Sequence, residues 1–234
     1  MKVVLIFFLL ATSLFSYVNV HPVTFDKRID GRGEVQEYTL YNPTKNSLRY
    51  QIYLDDSRLE KSMKDWIELY PTTITLKPGG SGKFKVLARA PKGVPAGEYL
   101  VTVGIKEMGL PNNPKDSTAS VQILTHLKMD IAGYVGELNP KVYFKDLNVK
   151  VENQELKFKG DIANVGERRG TLEFFLGDKN SRNQIYLGNL RLLRGEKVAA
   201  EKLNQKFLEN FKSIEELIVK DSLNGKILYK EKIK

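Results

Sequence analysis

An alternating stretch near the middle of the chain, from Ala119 to Tyr134, constrains the fold more than any other feature. Because successive side chains of a β-strand point to opposite faces, a strand here would carry every second residue on one face. That row consists of Ala119, Val121, Ile123, Thr125, Leu127, Met129 and Ile131. Alternation fixes which residues share a face and not what covers that face. The row is therefore either part of the protein's own core or a surface that a partner completes.

The rest of the chain has the regularly spaced turn residues that are typical of an all-β protein. From Tyr17 onwards, short runs rich in Val, Ile, Thr, Tyr and Phe are separated by turn residues at intervals of roughly 8 to 12 positions. Seven such runs up to Tyr134 predict an immunoglobulin-like β-sandwich over residues 17–134. A second, less regular β-sandwich is predicted over residues 135–234, with strand candidates such as Leu156–Ile162 and Gly170–Leu176.

Two pairs of runs are predicted to form β-hairpins. Glu34–Tyr41 and Leu48–Leu54 both alternate and flank a cluster of turn residues, and Ile74–Leu76 and Lys83–Ala90 flank a Pro-Gly-Gly turn. Three further local predictions concern Trp66 as a core residue, a short helix within Ala199–Phe211, and a hairpin turn at Ser222–Gly225.

The first sixteen residues, 1–16, are typical of a secretory signal peptide. Lys2 supplies a positive charge, Val3–Leu10 is apolar, and Ala11–Ser16 contains the small residues that precede cleavage. A retained membrane anchor is the alternative, but polar residues interrupt a run that would need about 20 apolar positions to span a bilayer. We expect cleavage after Ser16 and no membrane span in the mature chain.

Composition argues against catalysis. The chain has no cysteine, which excludes thiol catalysis, disulfides and thiolate metal sites, and its two histidines have no carboxylate at a spacing typical of a triad or a metal site. The net charge of +9 is spread over both halves, and an exported protein has little access to nucleic acid. We expect a protein without enzymatic activity, cofactor, metal or nucleic-acid partner.

The order of several short patterns resembles the PapD-like periplasmic chaperones of pilus assembly. The patterns are Phe25-Asp26-Lys27-Arg28-Ile29, Thr39-Leu40-Tyr41-Asn42, Ile74-Thr75-Leu76-Lys77-Pro78-Gly79, the prolines Pro91 and Pro95, Glu98 to Glu107, and Val121-Gln122-Ile123 with a basic residue downstream. The resemblance covers residues 17–134 well and the second half only by architecture. It implies two immunoglobulin-like domains in a boomerang arrangement, a periplasmic location, and pilin-like subunits and an outer-membrane usher as partners.

The resemblance also implies a binding site. Members of this family lend a strand edge to an incomplete subunit and hold the subunit's C-terminal carboxylate with a basic pair. Carried over by position, Ala119, Val121, Ile123 and Thr125 would be the donated row, and Arg28 and Lys128 the basic pair, with Lys27 as the substitute if the register shifts by one.

The alternative function is a structural or adhesive immunoglobulin-like protein of the cell surface that has no client. In that case Val121 and Ile123 would be ordinary core residues, and Arg28 and Lys128 would be solvated charges on a strand edge.

Overall fold

The computed structural model of the chain describes residues 18–56, 61–109, 123–152, 155–177, 184–203, 205–206 and 215–232. The regular structure in these ranges is β apart from two short 3-10 helices, Lys64–Trp66 and Ala200–Leu203. Two compact units form, one from Met1–Val94 with Tyr99–Gly133 and the other from Pro95–Glu98 with Tyr134–Lys234. The all-β, two-sandwich prediction is confirmed. No helix in the described ranges is long and apolar enough to cross a bilayer. The predicted signal peptide lies outside the described residues.

Unit 1 is built from two sheets. Its strands are β1 (Asn19–His21), β2 (Asp26–Arg28), β3 (Glu34–Tyr41), β4 (Leu48–Asp55), β5 (Ile67–Tyr70), β6 (Thr73–Leu76), β7 (Ser81–Ala88), β8 (Gly97–Met108) and β9 (His126–Val135). One sheet has the order β1-β3-β7-β5, and the other, which we call the five-stranded sheet, has the order β2-β9-β8-β4-β6.

Alternation places the core of unit 1 between these sheets. On β8, Val101, Val103 and Ile105 are fully buried. On the opposite face, Thr102 is partly exposed and Gly104 has no side chain. Tyr38 and Phe84 stack in the other sheet with ring centroids 5.0 Å apart. Each strand therefore contributes one apolar face, as the alternation predicts.

Both predicted hairpins of unit 1 are wrong. β3 pairs with β7 and β4 pairs with β8, so the turn after Tyr41 carries the chain from one sheet to the other. The buried amide of Asn42 holds this corner, since its Nδ2 donates to the carbonyls of Asn46 and Lys77 while its Oδ1 accepts from the Thr44 N–H. The same crossing occurs between β6 and β7, because β6 pairs with β4. Hairpin signals report a turn and not which sheet the next strand joins.

Trp66 is half-buried at the end of its 3-10 helix, with its ring 4.7 Å from that of Tyr99. The fully enclosed side chain at this place is Met63, and Ile67 is also buried. The sequence predicts Trp66 in the core together with Ile67 and Leu69. That prediction agrees with the burial of Ile67 and is corrected for Trp66, whose place in the core Met63 takes.

Unit 2 also consists of two sheets. Its strands are β10 (Val142–Glu152), β11 (Glu155–Asn164), β12 (Gly170–Gly177), β13 (Gln184–Leu192), β14 (Lys197–Ala199), β15 (Gln205–Lys206), β16 (Glu216–Asp221) and β17 (Ile227–Lys232). One sheet has the order β10-β11-β14, with β15 also on β11, and the other has the order β13-β12-β16-β17. Phe158 and Ile162 from the first sheet and Phe174 and Leu217 from the second belong to one buried cluster.

The corner after β11 repeats the corner after β3. Asn164 is fully buried, its Nδ2 donates to the carbonyls of Arg168 and Leu192, and its Oδ1 accepts from the Gly166 N–H. A buried polar side chain must be hydrogen-bonded to be tolerated, and here that requirement fixes the path of the chain between sheets in both units.

The end of unit 2 differs in part from the sequence prediction. The predicted helix within Ala199–Phe211 is a single 3-10 turn, Ala200–Leu203, followed by β15, and Phe207 to Phe211 lie outside the described residues. Ala200 and Leu203 of this turn pack into the core of unit 2. The hairpin signal at Ser222–Gly225 is confirmed, because β16 pairs with β17.

Candidate binding site on the five-stranded sheet

The described part of the apolar row, residues 123–131, is exposed at its first residue and buried at its last. Met129 and Ile131 are buried in the core of unit 1. Ile123 is 84% exposed and its neighbour Leu124 is 44% exposed. Ala119 and Val121 lie outside the described residues. The described part of the row thus leaves the core between Met129 and Ile123.

The strand that carries this row is paired unequally on its two sides. β8 lies on one side and β2 on the other, but β2 has three residues and β9 has ten. The Ala132 N–H donates to the Phe25 carbonyl at 2.8 Å, which places the contact near the end of β9. Among the described strands, most of the β9 edge on the β2 side therefore has no neighbour.

The exposed face of β9 is held to the rest of the sheet by three side-chain contacts. His126 Nε2 lies 2.6 Å from Tyr53 Oη, and Lys128 Nζ donates to Asp55 Oδ2 at 3.0 Å. Asp130 Oδ1 accepts from the Thr102 hydroxyl at 2.6 Å. The members of each pair come from different strands, so the contacts fasten the weakly paired strand to β8 and β4.

A glycine makes the first of these contacts possible. Gly104 on β8 pairs with Tyr53 on β4, and a Cβ at Gly104 would lie 2.3 Å from carbons of the Tyr53 ring. The ring therefore crosses β8 over the space that a side chain would fill and reaches His126 on the next strand. Packing of an aromatic ring over a strand glycine compensates for the side chain that glycine lacks.

Thr125, the last residue of the predicted donated row, is held by one residue of β8. The Glu107 N–H donates to the Thr125 carbonyl at 2.8 Å, and Glu107 Oε2 accepts from the Thr125 N–H at 2.9 Å. Glu107 is buried, as is Tyr50. Burial raises the pKa of the Tyr50 hydroxyl to about 12, and the negative charge of Glu107 adds to the rise.

The two predicted cationic residues do not form a pair in the described contacts. Arg28 Nε lies 2.6 Å from Asp30 Oδ1, and Lys128 is bound to Asp55. Lys27, the substitute, donates to the Val35 carbonyl at 3.3 Å and lies 3.7 Å from Glu34. All three cations are partly exposed and each faces a carboxylate of its own unit.

Sequence reasoning missed the partners of β9. Tyr53, Asp55 and Glu107 belong to strands distant in the sequence, and which of their neighbours they contact depends on the register of β4, β8 and β9. The glycine in the alternating run Tyr99–Ile105 was the available signal, because an unexplained strand glycine marks close approach of another group. Within the described ranges, no cluster of three or more His, Asp or Glu side chains could hold a metal ion.

Comparison with known proteins gives a remote likeness in fold. No protein-family model and no curated protein matches the chain. Solved structures that it resembles include the E. coli chaperone DraB, with 10% identity, a TM-score of 0.46 and coverage of 94% of this chain and 96% of that one. A chain from the Salmonella enterica SafA pilin in complex with the SafB chaperone gives 10% identity, a TM-score of 0.46 and 96% coverage of both chains. The Pseudomonas aeruginosa CupB2 chaperone gives 9%, 0.45, and 92% and 100% coverage.

Proposed function

We propose that this protein is a periplasmic chaperone that binds secreted subunits of pilus or fimbrial type by lending them a β-strand. The donated strand comprises the row Ala119, Val121, Ile123 and Thr125 together with the free edge of β9. The protein is exported by the signal at residues 1–16 and acts without catalysis or cofactor. An outer-membrane usher is the proposed second partner.

The exposure of Ile123 carries the proposal. The β-branched side chain of Ile123 is 84% exposed and lies three residues before β9, whose residues Met129 and Ile131 in the same row are buried. Because this apolar row extends beyond the core of its own domain, its exposed side chains can be buried in the core of a second protein. Burial of one such side chain contributes about 1.5–3 kcal/mol, so backbone hydrogen bonds must supply much of the affinity.

The weakly paired edge of β9 supplies those hydrogen bonds. An exposed strand edge presents a row of N–H and C=O groups that a second polypeptide can pair with. Strand addition of this kind draws affinity from the backbone and selectivity from the pockets that alternate side chains enter. Ile123 lies three residues before β9, so the exposed side chain and the weakly paired edge belong to one continuous stretch of chain, which supports strand donation over a purely structural role.

Lys128 and Arg28 are the proposed anchor for the subunit's C-terminal carboxylate. Each already binds a carboxylate of this chain, Asp55 and Asp30 respectively, so each has the chemistry that the role requires. A charge-assisted hydrogen bond of this kind contributes about 1.5–3 kcal/mol where water is excluded. The anchor would be formed by exchange of an internal carboxylate for one from the subunit.

Co-expression tests the proposal. The chain is produced in the periplasm with each small secreted β-rich protein encoded beside its gene, and the amount of subunit that copurifies is measured. Ile123→Asp is expected to abolish recovery without changing the thermal unfolding midpoint, because Ile123 contributes little to the core. Val165→Asp, at an exposed site in unit 2, is the matched control and should leave recovery unchanged.

Lys128→Ala and Arg28→Ala test the anchor separately. Each variant should reduce recovery, and Lys92→Ala, at an exposed turn, should not. Unchanged recovery in both anchor variants would refute the carboxylate anchor. If no neighbouring secreted protein copurifies with the wild type, the rival function, a surface protein without a client, is favoured instead.

A further inference from the structure

We propose that Glu107 is the positioning residue for the donated strand: its carboxylate ends the β8–β9 ladder at Thr125 and fixes where the exposed residues begin. That Glu107 positions a donated strand rests on the proposed function. The contacts between Glu107 and Thr125 are observed and do not depend on it.

Glu107 bonds Thr125 in a way that a regular ladder does not. In an antiparallel hydrogen-bonded pair, two residues exchange two backbone hydrogen bonds. Here the Glu107 N–H donates to the Thr125 carbonyl in the usual way, but the Thr125 N–H donates to the side chain of Glu107 and not to its backbone carbonyl. The carboxylate therefore takes the place of the strand partner's carbonyl.

This substitution ends the pairing of the two strands. Both backbone groups of Thr125 are satisfied by one residue of β8, and the strand conformation of β9 begins at the next residue, His126. On the other side of this contact, Ile123 projects into solvent. Ile123 and Leu124, the described residues directly before Thr125, are both exposed and thus accessible to another polypeptide.

The same contact sets the register of the row. Thr125 faces Glu107 and Asp130 faces Thr102. Asp130 lies five residues after Thr125 and Thr102 lies five residues before Glu107, so one antiparallel register joins both contacts. A slip of one residue would turn every side chain of β9 to the opposite face. Holding Thr125 therefore keeps Ile123, two residues earlier, on the face that a subunit would receive.

Burial makes the contact selective for this arrangement. The Glu107 side chain is among the few charged residues that are buried in the described ranges. A buried carboxylate must be hydrogen-bonded, and the Thr125 N–H donates to Glu107 Oε2 at 2.9 Å. Neighbouring Tyr50 is also enclosed, so the site is shielded from water that could replace this donor.

Two conservative variants of Glu107 separate the effect of side-chain length from the effect of charge. Glu107→Gln keeps an oxygen at the same distance and removes the charge, whereas Glu107→Asp keeps the charge and shortens the side chain by one methylene. The readout is the hydrogen-exchange rate of the Thr125 amide by NMR, with the Ala132 amide, which donates to Phe25, as the internal reference. Glu68→Asp, an exposed site on β5, is the control variant.

A positioning role predicts that exchange at Thr125 accelerates by about tenfold or more in Glu107→Asp and by less than about threefold in Glu107→Gln, with Ala132 unchanged in both. Equal rates in the two variants, or protection lost only in Glu107→Gln, would overturn it. The wild type gives a test that needs no variant: exchange of the Thr125 amide as fast as in an unstructured peptide would also overturn it.

The failure of this inference is distinguishable from failure of the proposed function. The amide measurement uses the full chain without any subunit. If Glu107→Asp frees the Thr125 amide and also lowers recovery of a copurifying subunit, both proposals are supported. If the amide responds as expected but Ile123→Asp leaves recovery intact, strand donation fails while the role of Glu107 in ending the ladder stands.

Discussion

Lys128 Nζ lies 3.0 Å from Asp55 Oδ2, and the strand β8 runs between the two strands that carry them. The ion pair is partly exposed, so it contributes about 0.2–1 kcal/mol to stability. Asp55 nevertheless binds the Lys128 ammonium group, which is proposed to receive a subunit's C-terminal carboxylate. The two carboxylates would therefore compete for Lys128.

Replacement of Asp55 by asparagine should therefore strengthen subunit binding. Asp55→Asn is expected to tighten the dissociation constant by about twofold to fivefold, the range that an exposed pair of this strength allows. Titration calorimetry with a copurifying subunit measures the effect. Asp65→Asn, at an exposed site in the 3-10 helix Lys64–Trp66, is the control. Weaker binding by Asp55→Asn would show that Lys128 does not meet the carboxylate.

Gly104→Ala should destabilise unit 1 because its Cβ would collide with the ring of Tyr53. We expect a loss of about 1–3 kcal/mol in the free energy of unfolding, as for other overpacked sites. In a Tyr53→Ala background the collision is absent and the same substitution should cost much less. Urea unfolding of the four proteins of this cycle measures the coupling, and an equal cost in both backgrounds would contradict the contact.

A buried ion pair stabilises unit 2. Arg168 and Asp221 are almost completely enclosed, and the Arg168 guanidinium also donates to the carbonyls of Leu138 and Arg169. Arg168→Met should cost about 3–5 kcal/mol because it leaves an unpaired buried carboxylate. Arg168→Met combined with Asp221→Leu should recover part of that loss. Chemical unfolding checks both expectations.

The exposed pair of Lys197 with Asp161 provides the contrast in the same unit. Lys197→Met should change the free energy of unfolding by less than about 1 kcal/mol, because water and salt screen a surface pair. A loss as large as that of Arg168→Met would mean that burial does not decide the strength of these pairs.

Tyr50 should make the protein sensitive to alkaline pH. Its pKa is raised from 10.0 to about 12 in the folded protein, so the folded state holds the proton more tightly than the unfolded state does. The neutral hydroxyl contributes its stabilisation fully below about pH 10, and this contribution is lost as the pH rises to about 12, with a size on the order of 2 kcal/mol. Tyr50→Phe cannot ionise and should lack this loss. Thermal unfolding between pH 8 and 12 compares the two, and parallel pH profiles would contradict the assignment.

The fold class could be predicted because alternation is a local property. Val101, Val103 and Ile105 share a face in any strand that contains them, and that face is buried in the structure. The same reasoning identified the row that contains Ile123 and Ile131. It failed for the pairing of β3 with β4 and of β6 with β7, since the turn at Asn42 fits a hairpin and a crossing between sheets equally well, and only the buried amide contacts decide between them.

The candidate site could be predicted only in part, for the same physical reason. The position of Lys128 on the polar face of its strand follows from parity. Its contact with Asp55 depends on how three strands align, as does the contact of Glu107 with Thr125. Those relations are set by tertiary structure, and the sequence resemblance carried over the cations without their internal carboxylate partners.

If the protein binds subunits as proposed, the shortness of β2 has a consequence for the molecule that holds no subunit. An unpaired strand edge recruits any extended polypeptide, including misfolded chains and other copies of the same molecule. His126, Lys128 and Asp130 place polar or charged groups at every second position along that edge, which makes it a poor template for indiscriminate apolar stacking. Under the proposed function, colloidal stability at high concentration and readiness to accept a strand are opposing demands on this edge, and the three polar side chains favour the first.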